Sequence, residues 1–101
     1  MFNLFKDQQL LSDVELFLKV HEENKRQVEK WGVQRHTSFE WLTYTAEELG
    51  SLAKAIGEYE HRGGPAERVV DEAIQVATLA LKIAEMFMIG KEKIPTWEKG
   101  R

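Results

Sequence analysis

The sequence predicts an all-α fold: an antiparallel bundle of three main helices per chain, completed by homo-oligomerisation. Three observations predict it. Apolar residues recur at steps of three and four along most of the 101 residues, and no run alternates with the period of two that a strand needs. The Ser/Thr-x-x-Glu spacing of a helix start occurs twice, at Ser12/Glu15 and Thr37/Glu40. The only prolines, Pro65 and Pro95, stand where a helix begins or has already ended.

The first helix spans 12–31. Ser12 and Glu15 open it as a capping box, and Val14, Phe17, Leu18, His21, Val28 and Trp31 fall roughly on one stripe. Gly32 supplies a left-handed stop. The second helix, 37–59, repeats the start signal at Thr37 and Glu40. Phe39, Leu42, Ala46, Leu49, Ala53 and Ile56 follow as its apolar, core-forming face. His61 to Gly64 then read as a turn. The third helix, 65–89, begins with Pro65 at its first position and stops at Gly90. From Val69 to Ile89, fifteen of twenty-one residues are apolar. Asp71, Gln75, Thr78, Lys82 and Glu85 form one narrow polar stripe, and Glu72 lies off it. Two further helices of the same short chain can hardly cover so apolar a helix, so it is expected to pack against its own copy. The alternative is a monomeric three-helix bundle with Met86 to Ile89 left bare. Residues 91–101 read as an irregular tail in which Trp97 is a candidate for docking.

Composition narrows the function. At 11.7 kDa the chain has room for one domain. Fourteen Lys and Arg against seventeen Asp and Glu give a formal charge of -3, without the broad attraction for phosphate backbones that nucleic-acid binders use. Cysteine is absent, which excludes disulfides, thiolate zinc sites and cysteine nucleophiles. His21, His36 and His61 are too scattered for a zinc site. No leader or membrane span is visible, so cytoplasmic residence is expected.

Two acidic residues stand apart on the helical wheel. Glu47 projects opposite the apolar face of the second helix. Glu48 lies at its margin beside Trp41, Leu52 and Ala55. Glu72 lines up with Val76, Leu79, Ile83 and Met86. A carboxylate among aliphatics is costly unless it is paired or binds a cation. The plain reading is a salt bridge to Lys54, Arg62, Arg68 or Lys82. The chemical reading puts Glu48 and Glu72 in one cleft, where a hard divalent cation and a substrate phosphate meet.

The segments His36-Thr-Ser-Phe-Glu-Trp-Leu, Glu47-Glu-Leu-Gly-Ser-Leu-Ala-Lys-Ala-Ile and Asp71-Glu-Ala-Ile-Gln-Val-Ala resemble the MazG-like all-α nucleoside triphosphate pyrophosphohydrolases, in particular a phage-type branch. The likeness covers about 28–88. It implies a homodimer or homotetramer that binds Mg²⁺, with Mn²⁺ as a substitute, and cleaves a nucleoside triphosphate to monophosphate and pyrophosphate. The family pattern is E-E-x-x-E on one helix and E-x-x-D on the next. Glu47, Glu48 and Glu72 match it; Ser51 and Gln75 stand where it has acids. The resemblance thus implies Glu48 and Glu72 as catalytic and metal-binding, with Gln75 and Glu47 as further ligands. Trp41, Lys54 and Lys82 are weaker candidates for substrate contact. A catalytically impaired oligomer of the same fold, binding a nucleotide or a protein, is the alternative. Neither membrane nor nucleic acid is expected as a partner.

Overall fold

In a computed structural model the described residues, 12–93 (side chains of 13–89), form three helices and no strand: α1 (Ser12–Trp31), α2 (Ser38–Arg62) and α3 (Ala66–Lys93). Helix α1 lies in one compact unit, Met1–Gln34, and the other two helices in a second, Arg35–Arg101. Among the described residues no helix is long and apolar enough to cross a membrane.

Helix α1 ends as its sequence predicts. Gly32 takes φ +75° and its N–H donates to the Val28 carbonyl at 2.8 Å. The polar middle of the helix is organised around Glu23. Its carboxylate accepts the Arg26 Nε and Nη2 at 3.0 and 2.8 Å and the Gln27 Nε2 at 2.7 Å. The Arg26 hydrogen bond is the main reason why the Glu23 carboxyl is held below its ordinary value. The capping box proposed at Ser12 rests on a side chain outside the described residues.

Helix α2 opens with the predicted box in full. Thr37 is extended, its Oγ1 accepts the Glu40 N–H at 3.1 Å, and its own N–H donates to Glu40 Oε1 at 2.8 Å. The helix runs to Arg62, three residues beyond the predicted end at 59, because the left-handed position falls at Gly63 (φ +69°). His61 and Arg62 therefore form its last turn, where positive charge suits the negative end of the helix dipole. The Gly64 N–H returns to the Glu58 carbonyl at 2.9 Å. A Cβ on Gly64 would lie 3.1 Å from the Glu58 Cβ, so this turn needs the smaller residue.

Pro65 precedes α3 rather than forming its first residue, and its carbonyl accepts the Arg68 N–H at 3.3 Å. Helix α3 passes through Gly90 and runs to Lys93 instead of stopping at 89, so the first residues assigned to the tail are helical. Glycine weakens a helix interior by only about 1 kcal/mol and does not end it unless the chain turns there. Trp97 and the rest of the predicted tail lie outside the described residues.

Helices α2 and α3 pack on one another as an antiparallel hairpin across the three-residue link 63–65. The faces that meet are not those that periodicity selects. The buried residues of α2 are Trp41 and Ala55, and those of α3 are Thr78 and Leu79. Phe39, Leu42, Ala46, Leu49, Ala53 and Ile56, expected as core, are all exposed. On α3 the centre of the polar stripe turns inward: Thr78 is 2% exposed, and Gln75 and Lys82 are half-buried. Val70, Leu81, Phe87 and Met88 face outward. Thr78 satisfies its hydroxyl within its own helix, donating to the Ile74 carbonyl at 2.7 Å.

Candidate functional site

The inward turn of polar residues gives the hairpin its chemistry. Glu48 and Ser51 on α2, and Glu72, Gln75 and Lys82 on α3, are half-buried. Glu47, one residue before Glu48, is exposed, as its place on the wheel requires. Asp71, one residue before Glu72, is exposed as well.

Glu72 is the better defined of the two half-buried acids. Its side chain retains 13% of its accessible surface, and its Oε2 lies 3.6 Å from the Arg68 Nη2, one turn earlier on α3. Arg68 itself is half exposed, so the pair is screened on one side and adds little to stability. This is one of the salt bridges anticipated for Glu72. It neutralises part of the charge while leaving the carboxylate near the surface.

Glu48, Glu72 and Gln75 are, taken singly, oxygen donors of the kind that Mg²⁺ takes. Mg²⁺ takes oxygen ligands and is commonly held by one or two carboxylates, with water and substrate phosphate completing its shell. Glu48 and Glu72 supply carboxylates and Gln75 an uncharged carbonyl oxygen. Among the described residues no group of three or more His, Asp or Glu side chains is placed to hold a metal ion.

The weaker candidates separate. Trp41 is 7% exposed and enclosed in an aromatic cluster. The His36 ring meets it edge-on at 4.8 Å and meets Tyr44 at 5.1 Å, and Trp41 and Tyr44 stand 6.1 Å apart. A ring so enclosed braces the first turn of α2 and offers little face for stacking a base. His36 Nδ1 also approaches Glu40 Oε1 at 3.7 Å, tying the residue before the cap to the capping carboxylate. The sequence marked Trp41 as a neighbour of Glu48 and a weaker candidate for substrate contact. The part of His36 depends on the chain folding back before the cap, which no spacing reveals. Lys54 is exposed and lines an open cleft of about 210 Å³ with Gly57, Glu58, His61 and Arg62. That cleft shares no residue with Glu48, Glu72 and Gln75.

Comparison with protein-family profiles, with curated proteins and with solved structures finds no match to this chain.

Proposed function

We propose that the chain is a MazG-like nucleotide pyrophosphohydrolase-type protein, cytoplasmic and homo-oligomeric, acting on a nucleoside triphosphate. The observation that carries the reading is the pair of half-buried acids, Glu48 on α2 and Glu72 on α3, at the positions where the resembled pattern has metal-binding glutamates. The helices that carry them pack together while each turns apolar residues outward. Glu48 and Glu72 would hold Mg²⁺ or Mn²⁺, with the Gln75 carbonyl oxygen beside them and Glu47 at the margin. Such an ion, when bound, supplies charge neutralisation for the triphosphate and a more acidic water. The reaction is hydrolysis between the α and β phosphates, releasing monophosphate and pyrophosphate. The outward residues of α3, Val70, Leu81 and Met88 among them, would pack against a second copy.

The test is pyrophosphate release over a panel of standard and modified triphosphates with Mg²⁺ or Mn²⁺. Turnover abolished by Glu72→Gln supports the reading; no turnover at any workable enzyme concentration ends it as an enzyme.

A second reading is favoured by the Arg68–Glu72 pair, which already gives one of the two acids a cationic partner. In it the same fold binds a nucleotide or protein without hydrolysing it. Calorimetric titration separates the two: nucleotide binding that needs no metal supports the second.

A further inference from the structure

We draw no further inference here: the strongest candidate, the apolar face of α2 formed by Phe39, Leu42, Leu49 and Ile56, supports none, because nothing in the structure shows what covers it.

Discussion

Thr37→Ala isolates one bond at the start of α2. The Thr37 hydroxyl oxygen accepts the Glu40 N–H at 3.1 Å, and the Thr37 N–H donates to Glu40 Oε1 at 2.8 Å. Alanine removes the first bond and keeps the second, because it retains the backbone N–H. Loss of an N-cap acceptor costs about 1 kcal/mol. In a chain of this size that lowers Tm by about 4–8 °C. Thr37→Ser should return most of the loss, since its hydroxyl reaches the same N–H. The assay is thermal unfolding followed by circular dichroism, at one fixed protein concentration because the stability of an oligomer depends on it. The remaining arm has its own signature. Glu40 is held below its ordinary carboxylate value, chiefly by the Thr37 N–H that it accepts. A carboxyl lowered in the native state stabilises above its unfolded value, and the effect is lost as pH falls through the native one. Above that window Glu40→Gln should be the less stable protein, and the gap to the parent should close on acidification. A Thr37→Ala protein that melts within about 1 °C of the parent, against the cost of a lost cap, would show that the His36–Trp41–Tyr44 cluster holds the first turn without the cap.

Other substitutions test other parts of the chain. Gly63→Ala forces a Cβ onto a left-handed residue at φ +69° and should destabilise by about 1 kcal/mol in urea unfolding, with Gly63→Asn milder. Leu79, 8% exposed, should lose about 2–3 kcal/mol on Leu79→Ala. Thr78→Val should stay within about 0.5 kcal/mol, because its hydroxyl bonds only its own helix. Glu23 is held below its ordinary value first by the Arg26 hydrogen bond, so its stabilisation is present above that value and lost as pH falls through the lowered one. Helicity of the parent should exceed that of Glu23→Gln near neutrality and converge with it in acid. Ser51→Glu with Gln75→Asp should raise Mg²⁺ affinity measured by calorimetry if these positions border Glu48 and Glu72; unchanged affinity would separate them from any common site.

Much of this protein was legible as one-dimensional pattern. The three helices, the Thr37 box and the Gly32 stop follow from local rules, since each is settled within one helical turn. Wheel position alone separated exposed Glu47 from half-buried Glu48, and exposed Asp71 from half-buried Glu72. Helix ends were less secure. Glycine permits a stop without requiring one, so α2 continued to Gly63 and α3 passed through Gly90.

What only the tertiary structure decided is which face of each helix turns inward. Helix α2 carries one apolar face through Phe39, Leu42 and Leu49 and a second through Trp41, Leu52 and Ala55. The hairpin took the second. Helix α3 buried Thr78 from its polar stripe and left Val70, Leu81 and Met88 outside. Periodicity measures how apolar a face is; it does not say what covers that face. With a three-residue link, α2 and α3 must meet on faces that this geometry brings together, and the strongest stripes are left for another surface. Sequence fixes local conformation because its causes lie within a turn or two of the chain, whereas burial depends on partners that are distant in sequence or belong to another molecule.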